Sequence, residues 1–344
     1  MRKYNVAVVG ATGAVGEELF RILEEQNFPI KNILPLASER SEGTEIEFCG
    51  KPVKVVKLTE DVFEKYEIEI AFFSAGGSIS AHFAPYAAEA GAVVIDNTSH
   101  FRMDADIPLV VPECNPADIL LWKNRGIIAN PNCSTIQMVQ ILKPLDDAFG
   151  IKRVDVSTYQ AVSGAGKKGM EELVHQMQEF FAFRLGDVVP QKFPHQIALN
   201  LIPHIDVFLE NDYTKEEMKM VKETQKILHK NIELSATCVR VPVLRSHSEA
   251  ITIHFEKDVD AAKARDILKN ASNVVVIDEP ENKKYPMPTV ATDTDFTYVG
   301  RIRRDNYQSN ILHLWCVADQ IRVGAATNAV RIAQKWIETD GQDL

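Results

Sequence analysis

No pair of cysteines in this chain has the spacing of a bridge or a metal clip. The five, Cys49, Cys114, Cys133, Cys238 and Cys316, are odd in number, scattered, and never arranged as C-x-x-C. That excludes a disulfide framework and a cysteine zinc site, and it points to a reducing compartment. His, Asp and Glu form no cluster with metal-ligand spacing either, so no metal is expected. Positive charge is in deficit: 38 Lys and Arg face 48 Asp and Glu, a formal net charge of -10. The balance argues against nucleic acid or an anionic membrane as main partner, while leaving room for local basic pockets that take phosphate or carboxylate. No apolar run approaches the roughly 20 residues of a membrane span. Met1-Arg2-Lys3 followed by Val6-Ala7-Val8-Val9 imitates a secretory signal. The run breaks at once into Gly10 and Gly13, which a strand and turn explain better. The expected setting is cytoplasmic. Internal repeats are also lacking.

What is present describes a globular protein of about two domains, since 344 residues exceed one ordinary core. The β-branched run Asn5 to Val9 leads directly into Gly10-Ala-Thr-Gly13-Ala-Val-Gly16, and then into helical spacing from Glu17. A strand, a glycine turn and a helix N-terminus are what a dinucleotide pyrophosphate needs for close backbone approach. The spacing is G-x-x-G-x-x-G, and tight strand–helix packing is the alternative explanation. The next strand ends at Ala37, before Ser38-Glu39-Arg40-Ser41. Glu39 could bind a ribose 2′-hydroxyl, meaning NAD; Arg40 between two serines could cradle a 2′-phosphate, meaning NADP. Guanidinium–phosphate geometry favours NADP, with a solvated polar loop as the plainer alternative. Further apolar runs end at Phe73 and Ile95 and alternate with helical stretches. The pattern predicts a parallel doubly wound sheet with ligands off its strand C-terminal ends. Arg102, just past one such end, is a candidate for the cleft.

The stretch Asn130-Pro131-Asn132-Cys133-Ser134-Thr135 lies between a buried strand, Gly126 to Ala129, and the start of a helix. Asn132 can cap that helix. Cys133 then meets unpaired N–H groups and the positive end of the dipole, which favour thiolate, the form that attacks carbonyl carbon. The plainer alternative is a small buried cysteine beside a cap. If Gly126 to Ala129 belongs to the same sheet, Cys133 emerges at the edge where the nucleotide is expected, and that convergence makes it catalytic.

From Lys152 the pattern turns to half-buried alternation. It runs into Gln160-Ala161-Val162-Ser163-Gly164-Ala165-Gly166, a turn able to approach a cofactor. Thr214 and Glu217 fit a capping box for a helix to about Lys230. Glu216 and Lys219 share one face of it, as a surface pair or as a clamp for an ammonium and a phosphate. Arg240 and His247 would face opposite sides of an unbroken strand, but Pro242 argues for a break that could bring both into one cleft. His247 has polar neighbours, whereas His254 and His313 sit in apolar runs and read as core histidines. A final helix closes the chain.

Together these motifs resemble aspartate-β-semialdehyde dehydrogenases from end to end. The matching segments are 10–16, Ala-Ser-Glu-Arg-Ser (37–41), Phe-Arg-Met (101–103), Asn-Pro-Asn-Cys-Ser-Thr (130–135) and Tyr-Gln-Ala-Val-Ser-Gly-Ala-Gly (159–166). Glu-Glu-Met-Lys-Met (216–220), Arg-Val-Pro-Val (240–243), His-Ser-Glu (247–249), Val-Gly-Arg-Ile-Arg (299–303) and Gly-Ala-Ala-Thr-Asn (324–328) follow in order. The resemblance implies an α/β fold. A Rossmann-type NADP-binding domain over 1–129 has the helix 323–340 packed back on it, and an α+β catalytic and dimerisation domain covers 130–322. It implies Cys133 as nucleophile, His247 as general acid/base, and Gln160 as the group orienting the substrate. Arg240 and Glu216 would bind the substrate's α-carboxylate and α-ammonium, Arg102 and Lys219 its phosphate, with Asn132 alongside. Gly10, Thr12, Gly13, Ala14, Val15, Gly16, Ser38, Arg40, Ser41, Ser163, Gly164 and Gln320 would contact NADP. The implied reaction is reversible reductive dephosphorylation of L-aspartyl 4-phosphate to aspartate semialdehyde, on the way to lysine, threonine and methionine, by a homodimer or homotetramer. N-acetyl-glutamyl-phosphate reductase shares the chemistry, but Arg240 and Glu216 suit a free amino acid. A cysteine hydrolase would not need the glycine turn.

Overall fold

The structure is a computed structural model that describes residues 2–184, 186 and 188–339. The chain divides into two compact units, Met1–Asn132 with Ala325–Leu344, and Cys133–Gly324.

In the first unit, β1 (Tyr4–Val9) is buried at every residue, as a central strand covered on both faces must be. It is flanked by β2 (Ile30–Ala37) and, beyond β3 (Glu45–Phe48), β4 (Lys51–Lys54) and β5 (Val56–Lys57), by β6 (Ile70–Phe73). With β7 (Val93–Asp96) and β8 (Ile127–Ala129) the sheet runs β5-β2-β1-β6-β7-β8, parallel throughout. β3 and β4 form a separate hairpin. The strand order reverses at β1, so its C-terminal end is the topological switch point. The helix Ala14–Glu25 starts there, and its apolar stripe of Leu19, Ile22 and Leu23 packs into the core. The same core takes Ile332, Trp336 and Ile337 of the helix Thr327–Thr339, with Tyr4 and Trp336 ring centroids 6.1 Å apart. The helix expected over 323–340 therefore begins at Thr327, after one π-helical turn, Arg322–Ala326; residue 340 lies outside the described residues.

The second unit is built on β9 (Ile151–Gln160), β10 (Glu233–Arg240), β11 (His247–Phe255), β12 (Val274–Val276), β13 (Thr297–Arg304) and β14 (Ile311–Ala318). Their order is β10-β9-β11-β14-β13-β12, parallel at the two edge pairs and antiparallel between. One face is apolar. Val154, Val156, Ile251, Ile253, Leu312 and Leu314 pack against Met138, Ile141 and Leu142 of the helix Cys133–Phe149. The period of two puts His254 and His313 on the opposite face, and there the expectation of core histidines fails. His254 lies 3.3 Å from Asp155, while His313 bonds Asp305 at 3.0 Å and Thr252 at 2.9 Å. Their apolar neighbours in sequence are the alternate, inward residues. The capping box at Thr214 forms, with Glu217 Oε2 accepting from the Thr214 N–H at 2.7 Å. Glu217 Oε1 also accepts from the Cys238 N–H at 3.0 Å, pinning the helix Lys215–Leu228 to β10.

Candidate active site

The centre of the second unit is where three strand ends meet. β10 ends at Arg240, beside Gln160 at the end of β9, and β11 begins with His247 opposite Ala318 of β14. The chain leaves the sheet between Arg240 and His247, so the two are not on one strand and their odd separation no longer sets them apart. Ser246, just before β11, takes φ +76° to make the return.

The two backbone groups of a single residue then aim both side chains. The Ala161 N–H donates to Nδ1 of His247 at 3.0 Å, and the Ala161 carbonyl accepts from Arg240 Nη1 at 2.6 Å. Because Nδ1 is an acceptor, the neutral ring carries its proton on Nε2. Nε2 is buried without a hydrogen-bond partner among the described residues. Burial holds the His247 pKa well below its usual value, and the nearby Arg240 adds to this, so the ring is neutral at neutral pH. Gly164 lies over both groups. A Cβ there would sit 2.9 Å from Arg240 Nη1 and 3.3 Å from Cε1 and Nε2 of His247.

Cys133 opens the helix Cys133–Phe149 and is half-buried. Burial lowers the Arg240 pKa, against the opposing negative charge of Glu216 and of Cys133, so the guanidinium and the thiol are within electrostatic reach. Gly324 touches the cysteine from the other side: a Cβ on it would stand 2.6 Å from Cys133 Cβ, so only glycine fits. Gln160 Nε2 donates to Glu216 Oε1 at 3.2 Å, and its Oε1 accepts from Thr158 Oγ1 at 3.0 Å. Glu216 Oε2 pairs with Lys219 at 3.0 Å, and Lys219 reaches Asp206 at 2.8 Å. Burial works against the Lys219 ammonium, yet Glu216 and Asp206 outweigh it and raise its pKa. Gln320 ties the remaining segments together. Its Nε2 donates to Ser163 Oγ and its Oε1 accepts from the Ser246 N–H at 2.8 Å. The second unit thus gathers Cys133, Gln160, Ser163, Gly164, Glu216, Lys219, Arg240, His247 and Gln320.

The other expected residues lie in the first unit. Gly10, at φ +86°, takes a conformation L-residues avoid, and a Cβ on Gly16 would fall 2.2 Å from the Gly10 carbonyl. Gly13 is the N-cap of the helix Ala14–Glu25 and offers no side chain to its N–H groups. Bare backbone donors at a helix N-terminus suit a pyrophosphate, so Thr12, Ala14 and Val15 stand where a dinucleotide fits. Ser38, Arg40 and Ser41 follow β2 in a 3-10 turn, Glu39–Ser41. Arg40 is exposed, while Glu39 pairs with Lys57 at 3.1 Å. Arg102 is buried, donating to the Asn130 carbonyl at 2.9 Å and to the Asn97 carbonyl at 2.8 Å. Asn130 is itself held by Asn97 and Asn328, which orders the segment before the buried Asn132. Among the described residues no helix is long and apolar enough to cross a membrane, and no His/Cys/Asp/Glu group could hold a metal.

Residues 5–122 match the NAD binding domain of semialdehyde dehydrogenases, and residues 142–323 match their dimerisation domain. The chain is 71% identical over 337 residues to the aspartate-semialdehyde dehydrogenase of Campylobacter jejuni, covering 98% of each. It belongs to the aspartate-semialdehyde dehydrogenase family. The Aquifex aeolicus aspartate-semialdehyde dehydrogenase is 56% identical over 338 residues, covering 97% of this chain and 98% of its own. The aspartate semialdehyde dehydrogenase II of Vibrio cholerae, solved in complex with ASA, superposes with a TM-score of 0.96 at 48% identity, covering 99% of this chain and 100% of its own.

Membership makes this an oxidoreductase of amino-acid biosynthesis with a nicotinamide cofactor. It also sets apart what sequence reasoning missed in the site of this aspartate-semialdehyde dehydrogenase family member. Ala161, Gly324, Ser246, Thr158 and Asp206 shape the centre without being singled out by residue type. Ala161 acts through its backbone, and Gly324 acts by having no side chain. Only Ser246 left a signal, since a turn was required between Pro242 and His247.

Proposed function

We propose that this chain catalyses the NADP-dependent, reversible reductive dephosphorylation of L-aspartyl 4-phosphate to L-aspartate 4-semialdehyde through a cysteine thioester. The observation that carries the reading is the backbone of Ala161 holding Arg240 and His247 together, with Arg240 within electrostatic reach of Cys133. The Cys133 thiolate forms a C–S bond to the acyl carbon, and the C–O bond to phosphate breaks. The nicotinamide cofactor supplies the hydride that reduces the resulting thioester. The hemithioacetal oxyanion then expels the thiolate, the C–S bond breaks, and the aldehyde leaves with Cys133 restored. His247 serves as the acid/base group through Nε2, which carries the ring proton and donates it toward the developing oxyanion, because Nδ1 is occupied by the Ala161 N–H. Donors aimed at the developing oxyanion in a buried site supply electrostatic stabilisation.

Arg240 takes the α-carboxylate, Glu216 the α-ammonium, and Gln160 and Asn132 orient the substrate. Lys219 and Arg102 receive the phosphate; Lys219 exchanges Asp206 for it. Gly10, Thr12, Gly13, Ala14, Val15 and Gly16 cradle the pyrophosphate, and Ser163, Gly164 and Gln320 face the nicotinamide end. Ser38, Arg40 and Ser41 take the 2′-phosphate. The Glu39–Lys57 pair supports this choice, because it draws the Glu39 carboxylate toward a cation. The active form is a homodimer or homotetramer, as the match to a dimerisation domain supports.

The test is phosphate-dependent reduction of NADP with aspartate semialdehyde, with NAD run in parallel. Turnover that needs phosphate and prefers NADP is expected. Turnover without phosphate, or with NAD preferred, would remove the phosphate assignment or the cofactor assignment respectively.

A further inference from the structure

Directly below the Arg240–Gln160–His247 row lies a second row across the same strands. Cys238, Thr158, Glu249 and Cys316 are successive cross-strand partners, and all four are fully buried. Thr158 already supports the row above through its bond to Gln160. Glu249 stands two residues along β11 from His247 and therefore on the same face. None of the roles assigned above uses it.

Both Glu249 carboxyl oxygens are buried without a hydrogen-bond partner among the described residues, and so are both ends of the Gln137 amide. Gln137 is four residues after Cys133, one helical turn on and on the same face. Its carbonyl accepts a weak bond from Cys316 Sγ at 3.9 Å, beside Glu249 in the sheet. The Gln137 amide is also close enough to favour ionisation of Glu249, though burial dominates and lifts that pKa well above the usual range. Gln137 thus lies over Glu249, short of hydrogen-bond geometry. A primary amide offers one donor and one acceptor toward such a neighbour. A protonated carboxyl offers the same, reversed, whereas a carboxylate only accepts and would repel the amide oxygen.

We propose that Glu249 is a positioning residue that acts as a neutral carboxylic acid. Its O–H pairs with Gln137 Oε1 and its C=O with Gln137 Nε2, fastening the helix turn of Cys133 to the strand of His247. A small side-chain rotation closes the pair. Four buried, unmatched polar atoms are satisfied at once, which removes a substantial desolvation cost. The pair leaves no net charge under the thiol, so the charges facing Cys133 remain those of the row above, chiefly Arg240. The role rests on Cys133 being the nucleophile, but one arm of the test does not depend on the substrate.

The variants are Glu249→Gln, Glu249→Leu, Gln137→Leu and the double leucine, each in a Cys49→Ser background because Cys49 is exposed. Readouts are kcat and KM for the semialdehyde, and the iodoacetamide alkylation rate of Cys133 against pH, followed by mass spectrometry. Glutamine at 249 keeps one donor and one acceptor, so it should retain kcat within about threefold with an unchanged alkylation profile. Each leucine should lower kcat about tenfold with KM within about twofold, and slow or shift alkylation. The double variant should be no worse than either single, because the two act as one unit. Wild-type kcat and alkylation in Glu249→Leu would overturn the proposal, as would additive losses. A Glu249→Gln alkylation profile moved to lower pH would show that the carboxyl is charged, and would overturn it too. If the leucine variants do not fold, Glu249→Asp, which withdraws the carboxyl by one carbon, must show the tenfold loss; full activity there rejects the pair. Should wild type alkylate as expected yet fail to turn over the semialdehyde, the substrate reading fails and the pair stands.

Discussion

Gly164→Ala adds one methyl group at the ceiling of the site, and the structure says what it meets. The Gly164 backbone is not left-handed, so alanine adopts it without strain. All the consequence comes from the methyl, 2.9 Å from Arg240 Nη1 and 3.3 Å from His247 Nε2. The arginine cannot swing away freely, since Nη1 is held by the Ala161 carbonyl at 2.6 Å and the side chain is buried. It must give up or stretch a charge-assisted hydrogen bond, worth roughly 1.5–3 kcal/mol. The loss in kcat/KM should then be about tenfold to a hundredfold. It should divide between a raised KM for semialdehyde, as the carboxylate clamp shifts, and a lowered kcat, as the methyl crowds Nε2. The assay is phosphate-dependent NADP reduction with each KM determined separately, beside a thermal melt to show that folding is kept. Activity within about twofold of wild type would refute the crowding argument. A rise confined to the NADP KM would make Gly164 a cofactor contact alone.

Cys133→Ser should fold and bind NADP with nearly all turnover lost, because a hydroxyl is a far poorer nucleophile here; substantial residual turnover removes Cys133 from the mechanism. Arg40→Ala should raise the NADP KM by the equivalent of about 1–3 kcal/mol and leave the NAD value nearly unchanged. Equal losses with both cofactors would point to Glu39 and the ribose instead. Stability should narrow from both sides in pH. His247 has a depressed folded pKa, so the stability of its neutral form is present above the unfolded value and is lost as pH falls below it. Glu249 has a raised folded pKa, so its contribution is present below the unfolded carboxyl value and is lost as pH rises. Glu249→Gln should therefore raise the melting temperature relative to wild type at about pH 8 and do so much less at about pH 4; an equal gain at both contradicts a buried, neutral carboxyl.

The first unit was legible because its elements obey local rules. Alternating apolar runs and helices, with a glycine turn after the first strand, specify a parallel sheet and its switch point without long-range information. The helix Thr327–Thr339 was legible as a helix, but its start was not. Gly324 must lie against Cys133, and the chain reaches that approach through a π-turn with no compositional signature. His254 and His313 misled because an apolar neighbourhood in sequence belongs, in a strand covered on one face, to the alternate residues.

In the second unit the residue types of the candidate site were legible and their geometry was not. Cys133, His247, Arg240 and Glu216 draw notice by residue type and context, although Cys133 also reads as a buried cysteine beside a cap and Glu216 as half of a surface pair. What aims His247 and Arg240 is the backbone of Ala161, and a backbone N–H and C=O are common to nearly every residue. The same limit explains Glu249. In sequence it is one acidic residue in a strand, and residue type alone predicts a solvated face. Register makes the difference: β11 pairs antiparallel with both β9 and β14, placing Glu249 between Thr158 and Cys316 on the covered face, one row from the imidazole. A carboxyl kept at that depth must be neutral or paired, and among the described residues the polar group over it is an amide one turn from the thiol. The inference follows from pairing register and hydrogen-bond inventory, neither of which sequence spacing contains.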